Sequence, residues 1–155
     1  MNLEEFKKEY CKSEFNLQNV SIKIDKIPAF TGEKLFISLF KKIFGEIKDL
    51  EMSDNKFQTN ILINAISGLD IDYIENELEP ILYRYISFKT SPNGNYPKYI
   101  NLWGDSGSGK KLIEPFLEFD EVFEILLRGI CVNFLPSLSK RFQKLTGGKK
   151  LSLPQ

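Results

Sequence analysis

The stretch Gly104-Asp105-Ser106-Gly107-Ser108-Gly109-Lys110-Lys111 comes within one residue of a phosphate-binding loop, and that residue decides how the chain is read. In G-x-x-x-x-G-K followed by Ser or Thr, backbone N–H groups cradle the phosphates, the lysine reaches their outer oxygens and the hydroxyl ligates Mg²⁺. Lys111 stands at the hydroxyl position, so a second cation sits where the metal belongs. Such a loop must also open a helix whose N-terminus faces the phosphates. Leu112-Ile113-Glu114-Pro115 follows at once, and Pro115 leaves no room for that helix. Tyr99-Ile100-Asn101-Leu102-Trp103 upstream does read as a strand, which keeps a degenerate nucleotide site at 104-110 as an alternative. The simpler expectation is a Gly/Ser hairpin tip.

Outward from this stretch the chain is mostly helical. Upstream, Ser91-Pro92-Asn93-Gly94-Asn95 is turn chemistry, and residues 87–118 form the least helical region, with short β-like runs on either side of the glycine tip. Downstream, Asp120 is expected to cap the last long helix, in which Val122, Phe123, Leu126, Leu127, Ile130, Phe134 and Leu138 recur at helical spacing. Pro136 should bend that helix, and Thr146-Gly147-Gly148 should end it.

The N-terminal half begins with a short helix over Leu3 to Lys12. Val20 to Ile27 then alternates as a half-buried strand that Pro28 terminates. Thr31 is the expected N-cap of a helix carrying Leu35/Leu39/Ile43 and Phe36/Phe40/Phe44, stopped by Gly45. A polar connector around Glu51 to Lys56 leads to a short apolar helix, Phe57 to Ile66, closed by Gly68. Asp70 or Asp72 caps a further helix with Ile74, Leu78, Ile81, Leu82 and Tyr85 on one face, kinked at Pro80. The fold class expected is therefore mainly α: one small helical domain over 1-145, an N-terminal strand or hairpin, a short β-hairpin insert before the last long helix, and a flexible tail over 146-155.

Composition narrows the chemistry. The chain has no His, which removes the usual general base and metal ligand. No catalytic, cofactor-binding or metal-binding residue is expected. Cys11 and Cys131 form no C-x-x-C pair, and Cys131 among Ile130, Val132 and Phe134 reads as a buried, inert thiol of a reducing compartment. At 155 residues the chain fits one domain able to bury a core without staples, and 21 basic against 21 acidic residues leave no net field for nucleic acid or an anionic membrane. The basic run Lys140-Arg141, Lys144, Lys149-Lys150 is most simply a solvated helix end and tail. Nothing in the first thirty residues resembles a secretion signal and no segment reaches the length of a membrane span, so a cytoplasmic protein is expected.

The layout itself is informative. A strand leading into Lys26-Ile27-Pro28-Ala29-Phe30, an amphipathic helix, a short helix pair, a hairpin-like insert and an acidic-capped helix carrying Val132-Asn133-Phe134-Leu135 resembles the tail assembly chaperones of long-tailed bacteriophages over about residues 15–145. The resemblance implies a non-enzymatic protein that binds the tape measure protein, keeps it soluble and brings tail tube subunits to it. It implies self-association into rings or spirals, and work in the cytoplasm of the infected host rather than in the mature virion. Partner-binding candidates are Phe123, Leu127, Asn133, Phe134 and Leu135, although such apolar faces ordinarily pack a core. Asn133 is expected to hydrogen-bond across helices or to cap the bend. With thirteen Phe and an aromatic content of 13%, the chain is expected to carry more apolar side chains than its own core can seat, with some at an interface. Family members often exist in two forms through frameshifting, and Gly147-Gly148-Lys149-Lys150 is a peptide that a slippery site would encode. A generic host adaptor is the remaining alternative.

Overall fold

The computed structural model describes residues 3–47, 59–91 and 94–152, with side chains for 4–43, 63–91, 94–138 and 140. The chain is mainly helical around one four-stranded antiparallel sheet of order β1-β2-β3-β4: β1 Glu14–Asn16, β2 Ser21–Ile24, β3 Ile86–Lys89 and β4 Ile100–Asn101. The N-terminal hairpin and the later insert are thus halves of one sheet. Ile22 lies opposite Phe88 and Ile24 opposite Ile86. All four are buried, so alternate side chains of the two central strands meet the helices. Lys23 and Lys89 lie on the opposite face, both over the ring of Tyr99.

Helix α1, Leu3–Tyr10, precedes the sheet. Helix α2 runs from Ala29 to Ile47. It starts two residues before Thr31, because the Pro28 carbonyl accepts the first helical bond from Gly32 N–H at 3.0 Å. Thr31 therefore lies inside the first turn, and the helix continues through Gly45. Leu35, Leu39 and Ile43 are buried as a stripe. The side chain of Phe44 and the connector Glu51 to Lys56 lie outside the described residues. Helix α3, Thr59–Ser67, ends before Gly68.

Next come α4, Ile71–Tyr73, a π-helical turn over Ile74–Leu78 and α5, Glu79–Leu82. Asp70 occupies the N-cap position without a side-chain cap bond. Pro80 has no N–H to give its preceding turn, and the backbone widens just before it, with Glu79 N–H bonded to Ile74 O. The expected irregularity at Pro80 therefore takes the form of a π-turn.

Two expectations for the second half are corrected. The glycine stretch is not a hairpin tip: after β4 the chain turns through Gly104–Gly107 into a helix, α6, Ser108–Ile113. Six residues fit before Pro115, which instead lies inside the short 3₁₀ turn Glu114–Phe116. The last helix, α7, Phe119–Ser152, is not capped by Asp120. Glu118 is its N-cap: its carbonyl accepts from Val122 N–H, and its own N–H donates to Glu121 Oε1 at 2.9 Å, a reciprocal arrangement of the capping-box kind. The other oxygen of Glu121 accepts Gln18 N–H at 3.0 Å, tying the helix start to the β1–β2 turn.

Every residue from Ile125 to Val132 is buried, so this part of α7 is the central helix. Tyr10 and Phe15 meet it through Arg128, and Phe36 of α2 through Phe134. The helix continues through Pro136 and through Thr146-Gly147-Gly148 to Ser152, past the point where the sequence places its end.

Candidate functional site

Two concavities hold some of the residues singled out by sequence. The first is the setting of the glycine stretch. Ser106 and Gly107 both have positive φ, 53° and 85°, which turns the chain sharply enough for α6 to fold back on β4. Gly109 is buried, and a Cβ there would lie 2.8 Å from Leu102 Cα and overlap Asn101 O. The glycines are thus accounted for by the turn and by the close approach of helix to strand. Lys110 Nζ does not point into an empty anion cradle: it pairs with Glu79 Oε1 at 2.9 Å and lies over the rings of Trp103 and Tyr83. Strand, glycine loop and helix occur in the order a nucleotide site requires, but the lysine is engaged and Lys111 remains in place of the hydroxyl.

The second concavity is a groove of about 820 Å³ between the N-terminal part of α2 and α7. Phe30, Phe36, Ile37 and Phe40 wall one side; Asn133, Phe134 and Ser137 form the other. Phe30 is 90% exposed and Ile37 48%, although each is a side chain that folding normally removes from water. Glu33 and Lys41 lie along the same wall of α2, two turns apart. A helix is about 10 Å across, and an open, apolar, charge-flanked groove between two helices is the usual seat for an amphipathic helix.

Of the five residues expected to bind a partner, Asn133 and Phe134 line this groove. Asn133 also clasps the fold: its Oδ1 accepts Ile27 N–H at 2.8 Å and its Nδ2 donates to Gly129 O at 3.2 Å. The entry to α2 is thereby fastened across to α7. Leu127 and Leu135 are buried in the core, and Phe123 is half-buried against it. Sequence reading missed Phe30 and Ile37. The available signal was Ile37, an apolar residue off the Leu35/Leu39/Ile43 stripe, seven residues after Phe30 and so on its side of the helix.

Elsewhere the ionisable groups serve packing. Arg128, nearly buried, reaches Glu9 O at 2.8 Å and the carboxylates of Glu9 and Glu124 at 3.2 and 3.4 Å, between the rings of Tyr10 and Phe15. Its hydrogen bond holds the Glu9 carboxyl below the ordinary value of 4.5, with Lys12 assisting. Cys11 and Cys131, distant in sequence, meet in space: Cys11 Sγ donates to Cys131 O at 3.3 Å. Burial raises both thiols, Cys131 most strongly. Burial also raises the Tyr83 phenol. Among the described residues no group of three or more acidic or cysteine side chains is placed to hold a metal ion, and no helix is long and apolar enough to cross a membrane.

No protein-family model, curated protein or solved structure matches the chain.

Proposed function

We propose that the chain is a non-enzymatic assembly chaperone of a long-tailed phage, which holds amphipathic helical segments of the tape measure protein in the α2–α7 groove and helps recruit tail tube subunits. The observation that carries this reading is the groove itself, an open apolar channel of about 820 Å³ with Phe30 and Ile37 left in contact with water. An unassembled rod of amphipathic helices exposes faces that aggregate, and a groove covers such a face reversibly without bond chemistry. The resemblance of the layout and of Lys26-Ile27-Pro28-Ala29 and Val132-Asn133-Phe134-Leu135 to tail assembly chaperones supplies the identity of the partner; both segments contribute residues to the groove. In this reading the protein acts in the cytoplasm of the infected host and leaves before the virion matures.

Self-association belongs to the same proposal. Phe119 is 97% exposed and Val122 46%, an apolar knob at the start of α7 flanked by Glu118 and Asp120. A knob and a groove that share no residue allow a head-to-tail contact, the kind that generates rings or spirals.

The test is co-expression with a phage tape measure protein. Phe30→Asp combined with Ile37→Asp places charge in the groove at two exposed positions, and should reduce co-purification about ten-fold or more while leaving the urea midpoint nearly unchanged. Undiminished capture by the double variant, with the fold intact, removes the groove from the proposal.

A further inference from the structure

Glu79, Tyr83, Trp103 and Lys110 converge in a cleft of about 520 Å³ that shares no lining residue with the α2–α7 groove. The Lys110 ammonium stands 2.9 Å from Glu79 Oε1, 5.5 Å from the Trp103 ring centre and 5.7 Å from that of Tyr83. A carboxylate beside two aromatic faces attracts an alkylammonium or guanidinium through the ring quadrupoles as well as the charge. The Lys110 side chain now paired there is 42% exposed, whereas Glu79 is only 13% exposed.

Two further features mark the cleft as more than a packing defect. Its rim carries Glu75 and Glu114, neither of which forms an ion pair among the described residues, against the single Lys111. Its floor is apolar, formed by the buried Leu102, Ile113 and Ile125.

We propose that this cleft receives a lysine or arginine side chain of a polypeptide partner, and that Lys110 is the resident ammonium the incoming cation displaces. The site is independent of the groove and of the partner assigned to it. Lys110 acts as an internal occupant: it keeps the largely buried Glu79 neutralised until a cation with its own apolar neighbours competes for the place.

Trp103 is the chain's single tryptophan and lines the cleft, so its emission reports occupancy directly. The probe is a short blocked peptide of Leu and Arg, with the same peptide carrying Gln or Glu in place of Arg as controls, and inorganic phosphate and ATP as an anion arm. The expected result is a saturable shift of Trp103 emission with the Arg peptide alone. Glu79→Gln should weaken that binding about ten-fold or more, since a carboxylate facing the cation is lost. Lys110→Ala, which removes the competitor, should tighten it severalfold. Far-UV circular dichroism establishes that each variant is folded, and Glu75→Gln on the exposed rim carries the test if Glu79→Gln is not. No response to the Arg peptide, equal affinity in Glu79→Gln, or weaker affinity in Lys110→Ala overturns the proposal. So does a shift produced by phosphate or ATP and abolished in Lys110→Ala, which would return the stretch to anion binding.

Discussion

At the scale of single residues, the glycine stretch separates by what each position must accommodate. Gly109 faces backbone, Leu102 Cα and Asn101 O, atoms that cannot swing aside as a side chain can, while Gly104 has only Ser108 Oγ within 4.0 Å. Gly109→Ala should therefore lower stability by about 3 kcal/mol, the upper range for overpacking, and Gly104→Ala by less than about 1 kcal/mol. Urea denaturation of the two variants side by side checks this; equal effects would mean that α6 does not sit against β4 as described. Asn133 makes a second residue-scale case. Asn133→Ala strips Ile27 N–H of its acceptor, and a half-buried donor left unpaired should cost about 1–2 kcal/mol. The polar residue amid apolar neighbours was visible in the sequence, but its partner was not, because Ile27 lies 106 positions away.

At the scale of elements, legibility followed the reach of the signal. The buried stripe Leu35/Leu39/Ile43 of α2 and the short α3 are local, periodic patterns legible in the sequence; β2 is legible too but spans only Ser21–Ile24 of the expected Val20 to Ile27, and α7 is buried on all sides over 125–132 rather than along one stripe, with Val122 of the expected face exposed. The caps were misplaced at Thr31 and Asp120 because Pro28 and Glu118 perform the task through a backbone carbonyl and a neighbouring carboxylate, which leaves no capping side chain to recognise at the cap itself. The helix Ser108–Ile113 is hidden by the glycine-rich turn before it and by Pro115, and the single sheet by the long separation between β2 and β3. Arg128 joins α1 and β1 to α7 in a way that no local pattern encodes. Arg128→Ala should cost about 2 kcal/mol through lost ring packing and the bond to Glu9 O, and hydrogen exchange should quicken first in α1. The same contact sets an acid limit: because the folded Glu9 carboxyl lies below 4.5, the contribution is present above that value and is lost as pH falls through the lowered folded one. Unchanged exchange in α1 of the Arg128→Ala variant would contradict this linkage.

At the scale of the whole molecule, one buried helix carries groups from several surrounding elements, and groups held neutral inside it make the fold sensitive to base. Cys131 on α7 and Tyr83 after α5 both belong to the core, and loss of water raises both above their ordinary values of 9.0 and 10.0. In the unfolded chain these groups release their protons at the ordinary values; in the folded protein they keep them. Above about pH 9 the unfolded state therefore binds fewer protons than the native state, the derivative of unfolding free energy with pH is negative, and stability falls as pH rises. Below that window neither group contributes a slope. Urea midpoints measured from neutral pH upward should hold level and then decline beyond about pH 9, first through the thiol and then through the phenol. Cys131→Ala should flatten the earlier part of the decline and Tyr83→Phe the later part, at the expense of a lower starting stability in each case. A wild-type midpoint that stays level through pH 10.5 or so would mean that these side chains already ionise at their ordinary values, and that the centre of the fold is wetter than the fully buried segment 125–132 of α7 permits.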